Sequence, residues 1–161
     1  MEFYETTEGR LGLRDIPPVL ADLLRQIPHS GDRDSDEVEE RFFPSPSHDP
    51  DEEGLRDDWR AHVEPELHGA FQSARLVVEA DLRGMKEEDD GFAMEFSKGH
   101  AEAWLNALNQ ARLALVTQHR FSEDQLAGPR PDRIRNERDL ALLQLTLYEY
   151  VQHWLVEVLE P

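Results

Sequence analysis

Three stretches of the chain space their apolar residues three and four apart, and this constrains the fold more than any other feature. Leu67, Ala70, Phe71, Ala74, Val77, Val78 and Leu82 form one stripe. Ala101, Trp104, Leu105, Leu108, Ala111, Leu115 and Val116 form a second, and Leu140, Leu143, Leu147, Val151, Trp154 and Val158 a third. Such spacing gathers each set on one face of an α-helix, and helices with apolar faces cover one another. A bundle is therefore predicted. A shorter helix is expected where Val19, Leu20, Leu23, Leu24 and Ile27 follow Asp15-Ile16-Pro17-Pro18, with Asp15 as a cap and prolines suited to a first turn. Pro28 ends that run.

Other punctuation sets the remaining boundaries. A helix starting near Asp51 carries Leu55 and Trp59 and is interrupted at Pro65, which suits the first turn of the next helix, and that one stops at Gly84. Ser97 caps the second long stripe and Asn136 the third. The segment Phe121 to Asn136, with Gly128-Pro129 and Pro131, reads as a connecting loop. Phe3, Tyr4, Leu11 and Leu13 suit a small hairpin turning near Gly9, and Phe92 to Phe96 alternates like a strand that could join it. Lys86 to Gly91 reads as an acidic turn. The expected fold is mainly α, a compact bundle of four to five helices with a small antiparallel β hairpin or sheet at one end. At 161 residues the chain supports one domain, 1–161.

Charge limits what such a bundle can bind. Acidic residues outnumber basic ones by 35 to 17, giving a net charge of -18 that repels nucleic acid and anionic membranes away from any local basic patch. Between positions 32 and 58 lie twelve acidic and three basic residues, so half the excess sits in one acidic loop. There is no Cys, which removes disulfides, thiolate metal sites and thiol catalysis together. No apolar run approaches membrane-spanning length, and Met1 to Arg10 lacks the basic and apolar regions of a signal peptide, so a cytoplasmic protein is expected.

Motifs for chemistry are sparse. Asp32, Asp34 and Asp36 match the start of a calcium loop, but Glu37 stands where its Gly should be and Phe43 where its bidentate Glu should be. His62 with Glu66, Glu64 with His68, and Glu149 with His153 are spaced to share helix faces, yet the sequence nominates no third ligand to complete a metal site. No nucleophile elbow, dinucleotide fingerprint or P-loop occurs, and no cofactor is implied. Arg130, Arg133, Arg135 and Arg138 form the one basic stretch. They suit either phosphate contacts or pairing with the interleaved acids, and the net charge favours pairing. Arg112 falls beside the apolar face of the second stripe, where it must be paired, and Asp81 is the candidate partner; ligand binding through Arg112 is the other reading.

Arg41-Phe42-Phe43-Pro44, the run Ala103 to Leu115 and the C-terminal Tyr150 to Leu159 together resemble a bacterial family, the domain of unknown function numbered two-zero-one-seven. Its middle motif stands here as Trp104, Leu105, Leu108, Asn109, Arg112, Leu113 and Leu115. The resemblance implies no established activity and no catalytic role for these residues. It does imply a setting, since actinomycete members are often encoded beside the Clp protease adaptor and relatives are linked to redox-responsive transcription. A cysteine-dependent redox role does not fit a chain without cysteine.

The expected function is that of a non-enzymatic regulatory or adaptor-like protein working through protein contacts with an unknown partner. The alternative is a transcription regulator contacting DNA through residues 130–138, and the third is a metalloenzyme built on His62, Glu66 and His68. Leu142, Leu145, Tyr148, Leu155 and Leu159 widen the apolar face of the last helix, which suits either a homodimer interface or a central place in the bundle. The central place, and hence a monomer, is preferred.

Overall fold

The computed structural model describes residues 1–30, 49 and 52–161. The N-terminal hairpin forms as expected, with strand β1 (Glu2–Glu5) paired to β2 (Arg10–Ile16) across a turn at Gly9. Phe92 to Phe96 does join it, within β4 (Gly91–Ser97). Lys86 to Glu88 form a strand, β3, rather than part of a turn, and complete an antiparallel sheet of order β1-β2-β4-β3. β3 is short, charged and exposed, the composition of an edge strand that discourages further pairing. Leu11, Leu13, Ile16, Met94 and Phe96 are buried on the sheet's inner face.

Helix α1 (Pro18–Arg25) leads into a single 3-10 turn at Ile27–His29. The next helical rod runs without a break through α2 (Glu53–Asp58), a π-helical stretch (Trp59–Val63) and α3 (Glu64–Arg83). Pro65 therefore does not interrupt the helix. It lies in the first turn of α3, where its missing N–H costs little, and the π-helical stretch directly precedes it. The expected stripe is buried in only part of α3. Ala74, Val78 and Leu82 are inside, whereas Leu67 and Phe71 are half-buried and Ala70 is exposed.

Helices α4 (Ala101–His119), α5 (Glu123–Ala127) and α6 (Glu137–Leu159) follow. The predicted loop thus contains a helix, started by a capping box in which Ser122 and Gln125 each bond the other's backbone N–H. Ser97 and Asn136 cap as expected, Ser97 on a 3-10 turn ahead of α4. The molecule is mainly α with a small antiparallel sheet. α4 lies between α3 and α6, so it, rather than the last helix, is packed against both long neighbours. Leu145, Tyr148 and Leu155 of the widened α6 face are buried within the chain, Leu142 is half-buried and Leu159 exposed. Sheet and helices meet at an aromatic cluster: Phe96 stacks on Trp104 and Phe3 on Trp154, each with ring centroids 4.8 Å apart.

Tyr148 ties α6 to α1. Its hydroxyl donates to the Leu23 carbonyl at 2.7 Å and accepts from Gln144 Nε2 at 2.6 Å. Burial pushes this phenol above its ordinary value. The folded protein therefore keeps a proton that the unfolded chain releases, so the contribution is complete below about pH 10 and is lost as pH rises beyond it. Urea midpoints should fall as pH rises from about pH 10 to about pH 12, and Tyr148→Phe should flatten that fall. An unchanged slope in Tyr148→Phe would assign the alkaline loss to other groups.

Candidate functional site

The middle motif lies on α4 and divides between two faces. Trp104, Leu108 and Leu115 point into the core, while Leu105, Arg112 and Leu113 are half-buried and Asn109 is exposed on the outer side. The inner face is anchored by Asp81, near the end of α3. Its carboxylate accepts from Trp104 Nε1 at 2.9 Å, and both of its oxygens lie 3.0 Å from His100 Nδ1. Asp81 is thus committed to Trp104 and His100 and does not pair with Arg112. The sequence signal for this anchor was Asp81 itself, a carboxylate breaking an apolar stripe, but the stripe does not reveal which residue of the facing helix meets it.

Arg112 reaches to α6 instead. It donates through Nη1 to Gln152 Oε1 at 2.7 Å and through Nη2 to Glu149 Oε1 at 3.2 Å. Glu149 therefore serves Arg112 rather than His153, which pairs with Glu157 at 3.3 Å. The Arg112 and Glu149 side chains are 35% and 44% exposed, a setting in which an ion pair contributes about 0–1 kcal/mol. Meanwhile Arg112 Nε is buried without an acceptor, which costs about 1–3 kcal/mol. The charge-assisted bond to Gln152 contributes about 1.5–3 kcal/mol and roughly offsets that cost, so Arg112 adds little net stability.

The basic stretch is largely turned onto the protein itself. Arg130 donates to Thr146 Oγ1 at 2.8 Å and to the Leu126 carbonyl at 2.9 Å, with Glu149 at 3.9 Å. Arg138 donates to the His119 carbonyl and to Gln125, and its guanidinium lies 4.7 Å from the Phe121 ring centroid. Arg135 is 3.9 Å from Asp132 and Arg133 is exposed. On the exposed rod, His68 lies 3.8 Å from Glu64, both at helical spacing, with His62 and Glu66 exposed beside them. Among the described residues no three His, Asp or Glu side chains converge to hold a metal. The calcium-loop positions Asp32, Asp34 and Asp36, and most of the acidic loop with Phe42 and Phe43, lie outside the described residues.

The family model described as Domain of unknown function (DUF2017) matches residues 5–159. The chain belongs to that family. Comparison with curated proteins and with solved structures gives no match. In this DUF2017 chain no helix among the described residues is long and apolar enough to cross a membrane. Within its middle motif, Trp104 is a core residue, Arg112 a cross-link between α4 and α6, and Asn109 the member most open to solvent.

Proposed function

We propose that this DUF2017 protein is a non-enzymatic regulatory or adaptor-like protein acting through protein contacts, and that the outer face of α4 and α6 makes them. The observation that carries this reading is Arg112, held across the two helices at little net gain, with an unsatisfied N–H and exposed partners. Around it lie the other residues of a contact patch. Leu105 and Leu113 are half-buried, Asn109 is exposed between them, and Val156 and Leu159 on α6 are 43% and 39% exposed. The pairs Arg112 to Gln152 and Arg138 to His119 run the helices antiparallel, which brings Leu105 and Val156 toward the same end. Apolar side chains flanking a charged, bidentate Arg have the composition of an interface centre.

A photo-crosslinking amino acid at Asn109 tests the reading in cells, with the same residue at Glu8, on the hairpin turn, as control. A defined protein adduct at Asn109 and none at Glu8 is expected. Arg112→Ala should change stability by no more than about 1 kcal/mol while reducing that adduct severalfold. Equal labelling at the two positions, or no adduct at Asn109, counts against the proposal. The DNA-contact alternative retains Arg133 and Arg135, and a gel shift on genomic fragments that is lost when both become Ala would favour it instead.

A further inference from the structure

A cavity of about 540 Å³ opens between the end of α1, the end of α4 and the start of α6. Its volume is within the range of small-molecule sites. Leu115, Leu140 and Ala141 supply an apolar wall, and Gln26, Glu137, Gln144 and the imidazoles of His29 and His119 are among its polar groups. Gln144 is only 5% exposed. Both its amide hydrogens are used, one on Gln26 Oε1 at 3.1 Å and one on the Tyr148 hydroxyl at 2.6 Å. The orientation is fixed by the network, because Tyr148 already donates to the Leu23 carbonyl and so must accept from Gln144. Among the described residues none donates to Gln144 Oε1, and as a deeply placed acceptor it favours a ligand that brings an N–H or O–H.

The charge around this acceptor narrows the ligand further. α1 ends at the cavity, and a helix C-terminus favours a cation, whereas the end of α4 is already met by the Arg138 guanidinium at the His119 carbonyl. The opposite field from the start of α6 is already answered by Glu137, which lines the cavity two turns before Gln144 on the same helix. Arg138, its neighbour in sequence, is spent on the His119 carbonyl, Gln125 and the Phe121 ring. The protein as a whole carries -18, so an anion would be repelled. We propose that this cavity binds a small organic cation of the aryl-amidine or aryl-guanidine type, its flat body against Leu115 and Leu140 and its N–H donors on Gln144 Oε1 and the Glu137 carboxylate.

The probe is 4-aminobenzamidine, which carries N–H donors at both ends, and the comparison is 4-aminobenzoate, its anionic counterpart of equal size. Titration of the full chain followed by amide NMR should show saturable shifts centred on the cavity with the amidine and none with the benzoate. Gln144→Met removes the acceptor at nearly constant volume, and Tyr148 keeps its bond to Leu23. Glu137→Gln removes the charge at an exposed position and does not threaten folding. Each should weaken amidine binding about tenfold. Should Gln144→Met fail to fold, Glu137→Gln alone decides. Absence of saturable shifts, equal binding of the benzoate, or unchanged affinity in the folded variants would overturn the proposal.

Discussion

Trp104→Ala is expected to destabilise the protein by about 3–5 kcal/mol, a large part of the stability of a domain this size. Trp104 is fully buried, stacks on Phe96 at 4.8 Å and donates to Asp81 at 2.9 Å. Truncation leaves a cavity where the sheet meets α4 and removes one donor from a carboxylate whose side chain is only 11% exposed. Trp104→Phe separates these losses. It keeps an aromatic ring against Phe96 and gives up the Asp81 bond, so it should cost about 1–3 kcal/mol. Urea unfolding of both variants measures this. A Trp104→Ala cost near 1 kcal/mol would mean that the aromatic cluster does not hold sheet to helix.

Side-chain periodicity made most of the helices legible, because burial on one face of a helix leaves a local trace in sequence. Leu108, Ala111 and Leu115 show it in α4, and Leu147, Val151 and Leu155 in α6. Two caps were legible for the same reason, Asn136 bonding a backbone N–H only three residues away, whereas Asp15, expected to cap α1, lies in β2, and α1 starts behind Pro17 with no side-chain cap. Strand β3 leaves no such trace. Lys86, Glu87 and Glu88 have no buried side and become a strand only by pairing with Ala93, Phe92 and Gly91.

The candidate sites show the same limit more sharply. Arg112 was recognisable as a charge beside an apolar face, but its partner depends on how α4 is rotated and shifted against α3 and α6. Sequence spacing is silent on that. Asp81 is the acid that sequence nominates for Arg112, and packing gives it Glu149 on the other neighbouring helix instead. Gln144 was missed altogether, as it sits between apolar positions of α6 and its significance lies in a network that closes only when Tyr148 reaches the backbone of α1. Pro65 stands in the first turn of α3, as a proline there suits, and only the expected interruption fails, because a π-helical stretch joins α2 to α3 ahead of it.

The other large effect is expected at Gly91, which opens β4. Its φ of +132° is one that L side chains rarely adopt, and a Cβ there would stand 2.6 Å from the Ile16 carbonyl oxygen. That carbonyl is backbone and cannot turn aside. β2 reaches Gly91 just past an irregularity between Leu13 and Ile16, where Asp15 has a positive φ of 52°, so the two strands approach closely at a point where both are already bent. Gly91→Ala combines torsional strain with a backbone clash and should cost about 3 kcal/mol. Gly9→Ala is the control, because Gly9 also has a positive φ, of +75°, but has open space where a Cβ would go. It should cost about 1 kcal/mol, from strain alone. Chemical denaturation of the two variants ranks them, and equal costs would show that the approach of Ile16 to Gly91 adds nothing beyond the glycine conformation. A larger loss at Gly91 would place the β2 to β4 junction among the contacts on which the sheet depends.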